Sequence, residues 1–244
     1  MNRFATAVAL AALCAAATHA APPTVSFAGC TEFVGVAPVD ATAARALVPA
    51  AYTPVTDAAS AKLVVRVADC VAVQVGSQPA RPGRVGQVGL MIGSPDGTAT
   101  DPLTSINNYT LLYTADSRAL VQALRGAGIP AALDDGLAYE AAAGELFAAI
   151  APPDGTRWTL WGTVNTPTLP QPFLANWWYA GPRGEAKMAT TIPSIAFDFG
   201  SQVSFYASRA GVLGSLLPSS RIAGFPLSFR GAFDAGTMVV SVKR

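Results

Sequence analysis

The chain has 244 residues, with 16 basic against 15 acidic groups and only 13% charged residues, about half the usual share. A surface so close to neutral argues against nucleic acid or an anionic membrane as partner, because each calls for a basic footprint. The single histidine is His19; if the leader described next is removed, no Ser-His-Asp or Cys-His hydrolase and no histidine-ligated metal centre can be built.

Residues 1–20 read as a secretory leader, with Asn2-Arg3 as a cationic start, an apolar run over 4–17 and small residues at Thr18 and Ala20. The run is shorter than the roughly 20 apolar residues of a membrane span. Cys14, in Ala-Ala-Leu-Cys, is a poor site for a lipid anchor. Export to the periplasm or beyond the cell is therefore expected, with residues 21–244 as one domain. Losing Arg3 leaves 15 basic against 15 acidic groups. In an oxidising compartment Cys30 and Cys70 are expected to form a disulfide, two free buried thiols being the alternative.

Farther along, Asp40 caps a predicted helix over 41–47 that Pro49 stops. Alternating, β-branched patterns predict strands over 62–75, 85–92 and 108–114. Asp116 or Ser117 caps a second helix over 118–125, where Ala119, Leu120, Ala123 and Leu124 form one apolar stripe and Gly126 supplies the exit. Residues 138–150 fit helix or strand equally. Strands are expected over 156–164, 185–197, 202–207 and 238–242, and a third helix over 207–217. Gly and Pro punctuate 79–83, 95–97, 152–155, 167–172 and 181–184. Strands of this length with short turns and few helices predict a mainly β fold, one large antiparallel barrel or sandwich. Neither a repeat nor a linker divides it.

Two segments resemble the acetoacetate decarboxylase superfamily. Leu47-Val48-Pro49-Ala50-Ala51-Tyr52-Thr53-Pro54, followed by a strand, is similar to the family's opening. Asn108-Tyr109-Thr110-Leu111-Leu112-Tyr113, a helix ending at Arg125, then Gly128-Ile129-Pro130-Ala131-Ala132-Leu133, resembles its central strand–helix–turn. The resemblance implies a double β-barrel-like fold with an internal cavity. In the family, a desolvated lysine in that turn forms a Schiff base with a ketone, which is the family's known mechanism. Here the matching positions are Ala131 and Ala132, and neither can form an imine. The strand carrying a cavity glutamate in the family has Gln87 as its nearest counterpart, which cannot exchange a proton.

Only Lys62, Lys187 and Lys243 remain as amines. Lys187 and Glu185 lie two apart on one face of a predicted strand, with Met188 and Ile192 on the other. They are either a relocated amine and its carboxylate inside the cavity or an exposed ion pair worth less than about 1 kcal/mol. Glu145 is a further carboxylate candidate, whereas Asp134, Asp135 and Glu140 read as solvated turn residues. Trp158, Trp161, Trp177, Trp178 and Tyr179, with Phe173 nearby, either line a pocket or pack a core. Asn108-Tyr109-Thr110 matches a glycosylation sequon inside a predicted strand.

Three functions follow. The leading one is a non-catalytic exported barrel that binds a small, partly apolar molecule in its cavity, with Gln87, Tyr109, Ala131, Trp161 and Trp178 as candidate lining. The second is an enzyme of the same superfamily working through Lys187, Glu185 or Glu145. The third is a structural or interaction protein of the cell envelope whose interior is filled by side chains. A small-molecule ligand is the expected partner, with no metal, no cofactor, no nucleic acid and no membrane span, and homo-oligomerisation is left open.

Overall fold

A computed structural model describes residues 22–217 and 219–243. The leader over 1–20, with Cys14 and His19, lies outside the described residues. The strands are β1 (Thr24–Asp40), β2 (Thr56–Asp57), β3 (Ser60–Val75), β4 (Arg81–Met91), β5 (Ser105–Ala115), β6 (Ala131–Leu133) and β7 (Ala138–Ala142). They continue with β8 (Glu145–Ile150), β9 (Trp158–Thr163), β10 (Leu169–Gly181), β11 (Gly184–Asp198), β12 (Gln202–Ala207), β13 (Arg221–Ile222) and β14 (Leu227–Lys243). The described residues also form three short helices: α1 (Ala41–Leu47), α2 (Arg118–Gly126) and α3 (Gly211–Leu216).

Seven strands close into a barrel in the order β1-β14-β11-β10-β5-β4-β3, and β3 pairs back onto β1. The closure removes the long exposed edges that would otherwise template aggregation. The sheet is mixed where a wholly antiparallel one was expected, because β10 runs parallel to β5 and β6 adds to β5 in parallel. A second sheet, β13-β12-β9-β8-β7, lies against the outside of the barrel. Two apolar cores result. One fills the barrel and the end closed by α2; the other lies between the barrel wall, the second sheet, α1 and α3.

Local chemistry explains several elements. Asp40 Oδ1 accepts from the Ala43 N–H at 2.7 Å, and Ser117 Oγ accepts from the Leu120 N–H at 3.3 Å, so both expected helices start at a side-chain cap. Residues 138–150 resolve as a β-hairpin. Its two turn residues, Ala143 and Gly144, have φ of 53° and 82°, which is the backbone of a tight primed turn. The third helix is shorter than expected, because residues up to Ala207 stay in β12.

Three long strands go beyond the expectation from sequence, β14 among them with 17 residues where only 238–242 was expected. β1 spans 17 residues and β10 spans 13, the latter through Pro170 and Pro172, where the sequence predicts only a turn. Pro172 falls at an irregularity between Gln171 and Phe173, where the ladder does not need its missing N–H, and Pro170 pairs with Ala196 near the start of the strand. Cys30 and Cys70 form a disulfide between directly opposed residues of β1 and β3, at the seam where the barrel closes.

Candidate functional site inside the barrel

The barrel interior contains a buried ion pair. Glu32 on β1, 4% exposed, accepts from Arg66 on β3: Nε donates to Glu32 Oε2 at 2.7 Å and Nη2 lies 2.5 Å from the same oxygen. Val34, not Glu32, is the direct partner of Arg66 in the ladder, so the guanidinium reaches diagonally along the wall. Its third nitrogen, Nη1, donates to Gln87 Oε1 at 2.5 Å.

Register then carries a row of side chains across the wall. Arg66 pairs with Gln87, Gln87 with Tyr113, and Tyr113 with Ala131. Gln87, Tyr113 and Ala131 are each 2% exposed. Burial pushes the Tyr113 phenol up to about 12, with the Arg66 charge a smaller opposing influence. The position that the family resemblance assigns to an amine is thus a methyl group beside an un-ionised phenol.

Next to the ion pair lies a cavity of about 20 Å³. Val34, Val64, Ala175 and Trp177 form apolar walls, Glu32, Arg66, Asn108 and Thr190 are its polar lining, and the partly exposed Ile106, Phe173 and Phe229 stand at its mouth. Phe173, Phe197, Phe199 and Phe229 form one aromatic cluster there, with ring centroids 4.7–6.5 Å apart. Asn108 is fully buried, yet among the described residues neither its Nδ2 nor its Oδ1 has a hydrogen-bond partner, and the same holds for Oγ1 of Thr110. The ladder of β5 explains how these residues all point inward. Gly89 pairs with Thr110 and Val88 with Leu112, so Leu111 is an extra residue that re-phases the strand. Gly89 also makes room for Trp177, since a Cβ there would lie 2.7 Å from the indole. Burial of Asn108 keeps the sequon out of reach of any glycan.

The sequence-derived candidates divide among three places. Gln87 and Ala131 face the barrel interior. Tyr109 and Trp178 instead pack on the outer wall, with Tyr52 5.1 Å from Tyr109 and 6.4 Å from Trp178 by ring centroid. Trp161 is 60% exposed on the second sheet, and Glu145 is exposed where β8 starts.

Lys187 and Glu185 share the outer wall but do not pair with each other. Lys187 Nζ donates to Asp96 Oδ2 at 2.7 Å and to Thr98 Oγ1 at 2.9 Å, and lies 4.9 Å from the centre of the Trp178 ring. Glu185 Oε2 accepts from the Tyr52 hydroxyl at 2.8 Å. Burial, and then this carboxylate, raise the Tyr52 phenol well above its ordinary range. Burial pushes the Asp96 carboxyl up, but hydrogen bonds from Lys187 and Thr98 outweigh it and hold the group well below the usual carboxylate range. Met188 and Ile192 take the opposite, buried face.

Glu32, Arg66 and Asn108 are the residues that reading the sequence for function passes over. A signal existed for Arg66: a lone guanidinium inside Leu63-Val64-Val65-Arg66-Val67 must either face solvent or meet a buried acid. Glu32 gave a weaker one, because its strand shows no alternation that marks a face.

Neither a protein-family model nor a curated protein matches the sequence. Solved structures do. An acetoacetate decarboxylase superposes with a TM-score of 0.62 at 12% identity, over 92% of this chain and 90% of that one. The acetoacetate decarboxylase of Legionella pneumophila gives 0.60 at 11% identity, over 92% and 88%. The enduracididine biosynthesis enzyme MppR, complexed with the condensation product of pyruvate and imidazole 4-carboxaldehyde, gives 0.57 at 15% identity, over 91% and 90%. With a closed seven-stranded barrel matched over nine-tenths of its length, the chain has the acetoacetate decarboxylase-like fold.

Proposed function

We propose that the protein is an exported, non-catalytic barrel that holds a small, partly apolar molecule beside the Glu32–Arg66 pair. The observation that carries this reading is the Asn108 amide, fully buried against the cavity with no partner for donor or acceptor. Each such orphaned group costs about 1–3 kcal/mol, and in a folded protein it calls for a completing partner such as a bound water or ligand. Apolar contact comes from Ile106, Phe173, Trp177 and Phe229. The Schiff-base chemistry of the resembled family has no residue to run on, because Ala131 occupies the row and Lys187 stands on the outer wall, ion-paired to Asp96. Export is supported by the disulfide, a bond that persists in oxidising compartments, and by the leader-like residues 1–20.

A cavity of about 20 Å³ is large enough for one water, against about 300 Å³ or more for a drug-sized ligand. A ligand of several heavy atoms therefore enters by swinging the Phe173 and Phe229 side chains outward. The same volume favours a second reading, an envelope protein whose barrel is filled by its own side chains. Titration with isobutanol, isobutyramide and isobutyrate, which share one apolar body, separates the two. Saturable shifts of the Trp177 indole resonance with any of the three support binding, and no shift with all three leaves the filled barrel.

A further inference from the structure

The polar groups that line the cavity are unequal in what they can still offer. Arg66 spends three of its five N–H donors, two on Glu32 and one on Gln87, and its charge is matched by the Glu32 carboxylate. Glu32 and Arg66 are the two charged residues on the cavity wall, and they cancel. An anion entering here would lose its hydration without meeting an uncompensated positive charge, and the Glu32 carboxylate would repel it. Asn108, by contrast, presents a free N–H donor and a free carbonyl acceptor on one side chain. Its neighbour two residues on, Thr110, adds a hydroxyl of the same kind on the same face of β5.

Resting on the binding role proposed above, we infer that the site selects an uncharged head group that carries a donor and an acceptor side by side. A primary amide, a lactam or a urea has this pattern; a carboxylate, which only accepts, does not. The reciprocal pair is an amide dimer, with ligand N–H to Asn108 Oδ1 and Asn108 Nδ2–H to ligand C=O. The apolar body then lies against Trp177 and Phe173, which line the same cavity. Selection is by charge and hydrogen-bond pattern together, since burying an unpaired ion is much costlier than burying a matched amide.

Isobutyramide and isobutyrate differ in charge and donor content but hardly in shape, and they decide the matter. Titrated into the wild-type protein at pH 7 and followed by the Asn108 side-chain amide and Trp177 indole resonances, isobutyramide is expected to bind at least about tenfold tighter than isobutyrate. Asn108→Leu should weaken isobutyramide by about tenfold or more while the fold, read by the dispersion of the remaining resonances, persists. Glu32→Gln keeps an acceptor for Arg66 but frees its charge, and should turn the preference toward isobutyrate. Equal or tighter binding of isobutyrate by the wild type overturns the selectivity and leaves the binding role standing. Binding of neither probe overturns the selectivity, and it overturns the binding role as well when isobutanol also fails to bind. Unchanged isobutyramide affinity in Asn108→Leu overturns the assignment of the head group to Asn108, whatever Glu32→Gln does.

Discussion

Arg66 gives two nitrogens to one oxygen of Glu32, at 2.7 and 2.5 Å, inside a barrel wall that is otherwise largely apolar. Removing one member strands the other charge away from water. Arg66→Met should therefore lower stability by about 3–5 kcal/mol, whereas Glu32→Leu with Arg66→Met should lose clearly less than the single change. Denaturant melts of the two variants measure this, and a double variant as unstable as Arg66→Met would show that the pair is held by its packing.

Ala131 stands in the interior row beside Tyr113. Incubation with acetoacetate and related keto acids, followed by borohydride reduction, is expected to leave no adduct on the chain. Ala131→Lys alone should not restore turnover, because Gln87 supplies no carboxylate and a nearby Arg66 is already paired. Mass mapping decides it; a stoichiometric adduct on Lys187 would mean that the outer-wall amine is reactive.

The Cys30–Cys70 disulfide ties β1 to β3 over a sequence separation of 40 residues. By chain entropy, Cys30→Ala with Cys70→Ala should lower stability by about 3–4 kcal/mol. Because the bond sits at the barrel seam, hydrogen exchange of the β1 and β3 amides should rise more than that of β9 and β12. Uniform acceleration throughout would place the effect in the unfolded chain alone.

The link from Lys187 to Asp96 and Thr98 pins the 93–104 segment to the outer wall, helped by Asn107, whose Nδ2 donates to the Ala99 carbonyl at 2.9 Å. The Asp96 carboxyl is held below its ordinary value of 3.8. A depressed acid contributes stability that is complete above the unfolded value and fades as pH falls toward the folded one. Amide exchange in residues 93–104 should thus be independent of pH-linked opening at pH 5–7, once corrected for the chemical exchange rate, and opening should increase below about pH 4. Asp96→Asn should show the opened segment at neutral pH. A segment equally protected at pH 2 and 6 would dismiss the anchor.

How far the chain could be read depended on what surrounds each element. The caps of α1 and α2, the strands of β3, β11 and β12 and the opposed cysteines were legible because they rest on local chemistry or simple alternation. β1 was not, since residues 33–36 are buried consecutively between barrel interior and outer core, and a strand covered on both faces loses its period of two. β10 was hidden by Pro170 and Pro172, which read as a turn; the ladder skips Pro172 at an irregularity and keeps Pro170 opposite Ala196.

For the site, sequence alone determined an inventory: no histidine beyond residue 19, three lysines, alanine at 131 and 132 and glutamine at 87. Those absences bound the chemistry without any coordinates. Only the tertiary structure decided which faces look inward. Closure of β3 onto β1 turns Glu32 and Arg66 toward each other, the extra residue at Leu111 brings Asn108, Thr110 and Tyr113 to the interior, and Lys187 is left outside with Asp96, 91 positions away in the chain. The physical reason is parity. A strand's side chains alternate strictly, but which half meets the cavity is set by register, bulges and closure, and one residue of phase exchanges wall for interior.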